Sequence, residues 1–346
     1  MDKRHLLTVL GLGFMGATHI ETLGTFDHPF NIIGYDTRIE ACDEIKKKYP
    51  DITVTTSLDE VFSANPTHAI VVTHGPSHAD LVYQCAEHGV PAILCEKPMT
   101  TNIAAALKML DVCKKNGSSL FMNFPLRLVP RLAHIREILQ SEKLGKLVNM
   151  TAVIGGARGM GCVGSHYVDL MHWFSNSNAT AVSGVLDTTG TPNKRGGQFV
   201  DPGGYAYFTF KNGMRAFLDM SEDFFLPPLI TLYCTKGYVT GDLMGNDWRA
   251  YEYSEGTQVT AKEISKAAGF TELPLEPADG LDSTLIKTNA VALKTFFSAT
   301  PHLATGEDGL RALEMILGIH ASQKKSGEWV SLPLEESLHT LNVNFT

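Results

Sequence analysis

The sequence predicts an α/β fold in two parts: an N-terminal Rossmann-type doubly wound parallel sheet, then an α/β part built on an open, mostly antiparallel sheet. Three observations carry this expectation. Short, continuously apolar runs alternate with helical stretches over the first 125 residues, as in strands buried on both faces. From Lys146 the runs lengthen and often alternate apolar with polar residues, the pattern of a sheet with one covered face. Asn212-Gly213 between two such runs is a hairpin signal. The expected division is 1–125 and 126–346, with the C-terminal helices able to pack back on the first part.

Taken in order, strands are expected at 6–10, 31–35, 69–73, 91–95 and 119–123. Helices are expected at 15–23, 38–48, 77–87 and 101–115. Asp36 ends the second strand, and Asn116-Gly117 closes the last of these helices. A connecting helix at 130–139 leads to strands at 148–154, 205–210, 214–220 and 229–234. Helices follow at 164–174, 284–297 and 306–324. The stretch 188–201 is rich in Gly, Pro and basic residues and reads as a loop.

The 346 residues are 44% hydrophobic and 19% charged, enough for ordinary cores without a metal or disulfide staple. A net charge of −8 without a long basic block argues against nucleic acid or an anionic membrane surface as partner. The six cysteines form no C-x-x-C pair, which fits reduced thiols. No apolar run reaches the ~18 residues of a membrane span. A cytoplasmic protein is expected.

Gly11-Leu12-Gly13-Phe14-Met15-Gly16 follows the first strand and opens the first helix. In that context G-x-G-x-x-G reads as a pyrophosphate cradle. Gly11 permits the turn, Gly13 lets the backbone approach the phosphates, and Gly16 allows close helix–sheet packing. Asp36 stands where a carboxylate accepts hydrogen bonds from ribose hydroxyls and repels a 2′-phosphate, favouring NAD over NADP. Arg38 could pair with that phosphate and keeps NADP open. The bland reading of Asp36 is a helix N-cap.

Glu96-Lys97-Pro98 follows the strand at 91–95 and so lies on the edge where parallel sheets hold ligands. A lysine beside a nicotinamide can hydrogen-bond the reacting oxygen and help move its proton. Glu96 could orient it. On the helix at 164–174, His166, Asp169 and Trp173 share one face, and His172 points elsewhere. His166 reads as a general base fixed by Asp169, or alternatively as a core histidine. A metal reading of His166, Asp169 and His172 lacks a convergent third ligand.

With these motifs the chain resembles the Gfo/Idh/MocA oxidoreductases, which include inositol dehydrogenases and glucose–fructose oxidoreductase. The likeness rests on GLGFMGATH at 11–19, THGPSH at 73–78, CEKPMT at 95–100, LRLVP at 126–130, GSHYVDLMHW at 164–173 and TGEDGLRALEMILGIHAS at 305–322. It implies catalytic roles for Lys97, His166 and Asp169. It places Thr37, Thr73, His74, Ser77, His78, Glu96, Asn123 and Arg127 with Gly11, Gly13, Phe14, Met15, Gly16, Asp36 and Arg38 around NAD or NADP. Lys97, Arg127, Cys162, His166 and Asp169 would meet the substrate. Cys162 departs from the family pattern, in which an aspartate often stands four residues before the histidine.

The expected activity is hydride transfer between nicotinamide and a secondary alcohol or ketone of a sugar, sugar phosphate or cyclitol. Lys194 and Arg195 could hold a substrate phosphate. The alternatives are a reductase of nucleotide-sugar or amino-sugar precursors, and a non-catalytic dinucleotide-sensing regulator. The resemblance also implies a homodimer or homotetramer formed through the second sheet.

Overall fold

The computed structural model describes residues 6–27, 30–156, 159–187, 196–243, 247–253, 269–275, 285–298 and 303–345. The first half runs β1 (Leu6–Leu10), α1 (Phe14–Leu23), β2 (Asn31–Tyr35), α2 (Ile39–Lys48), β3 (Thr53–Thr55), α3 (Leu58–Ser63), β4 (His68–Val71), α4 (Gly75–Glu87), β5 (Ala92–Cys95), α5 (Ile103–Asn116) and β6 (Ser119–Met122). These strands form one parallel sheet in the order β6-β5-β4-β1-β2-β3. Leu7, Val9, Ile70, Val71, Ile93 and Leu94 are fully buried, which explains why the strands read as unbroken apolar runs.

Register decides where the functional loops emerge. Leu10 pairs with Tyr35 and Val71, Val71 with Cys95, and Cys95 with Met122. The chain therefore leaves the sheet at one edge at Gly11, Asp36, Val72, Glu96 and Asn123. This is the carboxyl edge, where open α/β sheets bind ligands.

A short 3₁₀ turn, Pro125–Leu128, starts the second half. It continues through α6 (Pro130–Gln140), β7 (Leu147–Val153), a π-helical turn at Met160–Gly164, α7 (Ser165–Ser175), β8 (Ala179–Leu186), β9 (Gly204–Phe210), β10 (Arg215–Asp219), β11 (Leu229–Cys234), β12 (Gly237–Asp242), β13 (Trp248–Tyr253), β14 (Phe270–Leu273), α8 (Leu285–Phe297), β15 (Ala304–Thr305), α9 (Gly306–Lys324) and β16 (Val330–Ser331). The second sheet has the order β14-β13-β12-β11-β7-β10-β9-β8-β16. Its pairs are antiparallel except β7 with β10. Gly213 turns the β9–β10 hairpin at φ +86°. One face packs under α9 and α7; the other presents Tyr205, Tyr207 and Tyr233.

The C-terminal segments return to the first sheet. β15 pairs antiparallel with β6, and α8 packs on α1, with Leu293 and Phe296 in the core beneath β1 and β4. α9 begins with a capping box in which Thr305 and Asp308 exchange hydrogen bonds with each other's backbone. Several elements are absent from the sequence reading: β3, α3, β8 and β12–β14. β12 carries two glycines, Gly237 and Gly241, which weaken an isolated strand. In the sheet they admit close contact instead, since a Cβ would lie 2.0 Å from the Tyr251 carbonyl and 2.3 Å from the Trp248 ring, respectively.

Candidate active site

The glycine turn is built by contact distances. Gly11 sits at φ +109°, a conformation that disfavours a side chain, and donates its N–H to Tyr35 O at 2.7 Å. A Cβ on Gly16 would stand 1.9 Å from the Gly11 carbonyl, so α1 presses directly on the turn. Gly13 faces open space. The N-terminus of α1 has no side-chain cap and no acidic residue in its first turn. Its N–H groups are free to meet a phosphate.

Asp36 accepts from Leu12 N–H at 2.9 Å, Arg38 N–H at 3.0 Å and Arg38 Nε at 3.1 Å. Burial opposes its charge, but the Arg38 side chain and these backbone N–H groups hold the carboxyl below its usual range. The N-cap alternative for Asp36 is corrected: Arg38 occupies the N-cap of α2, without a side-chain cap. The same carboxylate engages the arginine that, from sequence, was free for a 2′-phosphate.

A cavity of about 870 Å³ runs from this turn to the second half of the chain. Gly11, Gly13, Phe14, Met15, Asp36, Thr37 and Arg38 line one end. Thr73, His74 and Ser77 line its flank, and Lys97, Asn123, His166 and Asn289 the other end. Ser77 Oγ donates to Thr73 Oγ1 at 2.8 Å and to His74 O at 2.9 Å, which fixes the start of α4. His78 is corrected: it is buried below the cavity, its ring nitrogens facing Pro98 O at 2.9 Å and Thr73 O at 3.1 Å. It braces the loops that carry Thr73 and Lys97. Gly16 likewise lies behind the cavity wall.

Glu96 is buried and accepts from Asn123 Nδ2 at 2.7 Å; its other close partner is His19 Nε2 at 3.0 Å. Burial disfavours the carboxylate, yet His19, Lys97 and Asn123 together pull it down to about 2. Lys97 Nζ donates to Cys162 O at 2.9 Å and lies 3.6 Å from Cys162 Sγ. Cys162 therefore touches Lys97, although it is absent from the cavity wall. Its own N–H and that of Gly161 donate to the two oxygens of Asp201 at 2.8 and 2.6 Å. Gly159 makes room for this carboxylate, since a Cβ there would come within 2.1 Å of Asp201 Oδ2. Sequence reasoning missed Asp201, placing it at the end of a loop. No motif links 161 and 201; only the fold brings them together.

His166 is half-buried, and its Nδ1 is a buried atom lacking a hydrogen-bond partner among the described residues. Burial, then the charge of Lys97, pushes its pKa down to about 3, so the imidazole is neutral at ordinary pH. An unfolded chain takes up a proton near pH 6.5 that folded His166 refuses until about pH 3. Stability therefore falls as pH drops through that window, with a slope approaching one proton, about 1.4 kcal/mol per pH unit. Urea denaturation between about pH 7 and pH 5 is expected to show the loss, and His166→Gln to lessen it by that slope.

The pairing of Asp169 with His166 is corrected. Asp169 instead binds Arg127 through Nε at 2.8 Å and Nη2 at 2.5 Å. Arg127 Nη1 reaches Asp308 at 2.9 Å, and Asp308 meets Arg311 at 2.8 Å and His172 at 3.5 Å. Burial pushes the Asp169 carboxyl up against the pull of Arg127. For Asp308, His172 and Arg127 outweigh burial and hold the carboxyl well below its usual range. A buried guanidinium needs fixed carboxylates, and this demand takes Asp169 away from His166. Arg127 and Asp169 lie off the cavity wall, in an ion network joining the 3₁₀ turn, α7 and α9. Lys194 and Arg195 fall outside the described residues.

An uncapped glycine turn, a carboxylate at the end of β2 and a lysine–histidine end define a dinucleotide-binding Rossmann protein with an open second sheet. The chain belongs to the Gfo/Idh/MocA family. Residues 6–124 match its profile for an oxidoreductase family NAD-binding Rossmann fold, and residues 155–240 match the GFO/IDH/MocA C-terminal domain. Inositol 2-dehydrogenase 2 of Paenarthrobacter aurescens is 28% identical over 190 residues, 51% of this chain and 57% of that protein. Inositol 2-dehydrogenase of Mycolicibacterium smegmatis is 30% identical over 143 residues, 40% and 41% of the two chains. The chain thus spans about half the length of these relatives in alignment.

Two solved structures share the fold along nearly the whole chain. An NAD-binding protein from Listeria innocua has a TM-score of 0.76 at 18% identity, covering 98% of this chain and 99% of that one. A levoglucosan dehydrogenase in complex with NADH and levoglucosan has a TM-score of 0.78 at 16% identity, with coverages of 95% and 99%.

Proposed function

We propose that the chain is an NAD-dependent oxidoreductase acting on a secondary alcohol or ketone of a sugar or cyclitol. The observation that carries this reading is a single cavity with the glycine turn and Asp36 at one end and Lys97 and His166 at the other. The names of the relatives, inositol and levoglucosan dehydrogenases, point to polyhydroxylated ring substrates. Bound NAD supplies the hydride acceptor. Lys97, held through Cys162 O, hydrogen-bonds the reacting oxygen and steadies its developing charge. Neutral His166 accepts the hydroxyl proton in the oxidative direction. The paired Arg127 and Asp169 act one layer out, keeping α7 and thus His166 in place.

The Asp36–Arg38 pair supports NAD over NADP. Asp36→Ser is expected to free Arg38 and raise the affinity for NADPH relative to NADH by about tenfold, read by fluorescence titration of both cofactors. An unchanged ratio contradicts the role given to Asp36. Turnover on a panel of cyclitols, sugars and sugar phosphates, followed at the reduced-nicotinamide absorbance, tests the substrate class. Activity confined to nucleotide sugars selects the reductase alternative. NADH binding without turnover on any panel member leaves two readings, a substrate outside the panel or a sensor.

The open face of the second sheet supports self-association. The rings of Tyr207 and Phe217 pack tilted, centroids 4.6 Å apart, on it, beside exposed Tyr205 and Tyr233. Among the described residues no helix is long and apolar enough to cross a membrane. All six cysteines are free, which supports a reducing, cytoplasmic setting.

A further inference from the structure

Two side-chain amides meet at the deep end of the cavity. Asn123 follows β6, and Asn289 comes from α8, on the segment that folds back against α1. Both line the cavity, and each is only 2% exposed. Their orientation follows from Glu96. A charged carboxylate only accepts, so Asn123 must turn its NH₂ toward Glu96 Oε1, 2.7 Å away. The same NH₂ lies 3.5 Å from Asn289 Oδ1, which turns the NH₂ of Asn289 outward.

Asn123 Oδ1 and Asn289 Nδ2 are left over. Both atoms are buried, and neither has a partner among the described residues. A buried polar atom left unpaired carries an uncompensated desolvation penalty, so such a pair calls for a ligand. An acceptor beside a donor is the complement of a primary carboxamide, which offers one NH₂ and one carbonyl.

We propose that Asn123 and Asn289 together read the carboxamide of the nicotinamide: its NH₂ donates to Asn123 Oδ1, and its carbonyl accepts from Asn289 Nδ2. The assignment rests on the NAD reading above. Anchoring the carboxamide fixes the rotation of the ring about its glycosidic bond, and so which ring face turns toward Lys97 and His166. Glu96 and His19 then act as positioning residues, since they set the direction in which Asn123 and, through it, Asn289 point.

The test is binding, measured by calorimetry with NADH, with ADP-ribose, which lacks the nicotinamide, and with reduced 3-acetylpyridine adenine dinucleotide, whose methyl ketone lacks the NH₂. The wild-type protein is expected to bind NADH about tenfold tighter than the acetylpyridine analogue. Asn289→Ala and the near-isosteric Asn289→Asp are each expected to weaken NADH by about tenfold while leaving ADP-ribose unchanged. NADH affinity unaltered in both variants overturns the proposal. So does equal weakening of NADH and ADP-ribose, which marks a structural role for Asn289. Failure of the wild-type protein to bind either NADH or ADP-ribose is a different result, and it overturns the NAD reading itself.

Discussion

Lys97→Met is expected to lower turnover by about a thousandfold while leaving NADH affinity within about threefold of wild type. Methionine keeps an unbranched stem of similar reach but offers no donor to the reacting oxygen. Lys97 sits at the end of the cavity remote from the glycine turn, so the phosphate and ribose contacts persist. The comparison is kcat on the best panel substrate beside NADH titration of both proteins. Equal losses in binding and turnover would show that Lys97 holds the cofactor rather than the reacting group.

Arg127→Leu is expected to destabilise the fold by about 3–5 kcal/mol. The substitution strands Asp169, which is 1% exposed, and removes one of the cations paired with Asp308. It also unties three segments at once: the 3₁₀ turn after β6, α7 and the start of α9. Urea unfolding measures the loss directly. Arg127→Leu combined with Asp169→Leu is expected to recover part of it, because the second change removes the stranded charge. A single-variant loss under about 1 kcal/mol, or no recovery in the pair, contradicts the buried-network account.

Legibility in the sequence followed the range of the interaction. The glycine turn, Asp36 and the Glu96-Lys97-Pro98 edge could be read because each is local: a strand, a tight turn and a helix start within a few residues. The parallel strands were legible because burial on both faces leaves an unbroken apolar run. Helix spacing put His166, Asp169 and Trp173 on one face, but it could not say which partner each would find. Asp169 went to Arg127, 42 positions away. His172, assigned to another face, reached the same network through Asp308. Asp201 and Asn289 left no local signal, since their partners lie in Gly161, Cys162 and Asn123, across the fold. Of the missed strands, β8 and β12 carry Gly, Ser or Thr in place of an apolar alternation, and only their neighbours make them strands.

Cys162 shows how a departure from a family pattern changes meaning in the fold. As a side chain it brings no carboxylate to Lys97. As a backbone unit it brings a carbonyl at 2.9 Å, steadied from behind by Asp201. The π-helical turn at Met160–Gly164 is what aims that carbonyl at the lysine, and such turns are common at functional sites.

The most direct measurement mixes NAD with a cyclitol and sugar panel and follows the reduced-nicotinamide absorbance for the wild-type protein and Lys97→Met, after NADH titration of both. The account predicts NADH binding by both proteins and turnover on at least one ring polyol by the wild type alone. Turnover by Lys97→Met at the wild-type rate, or no NADH binding by the wild type, would contradict it.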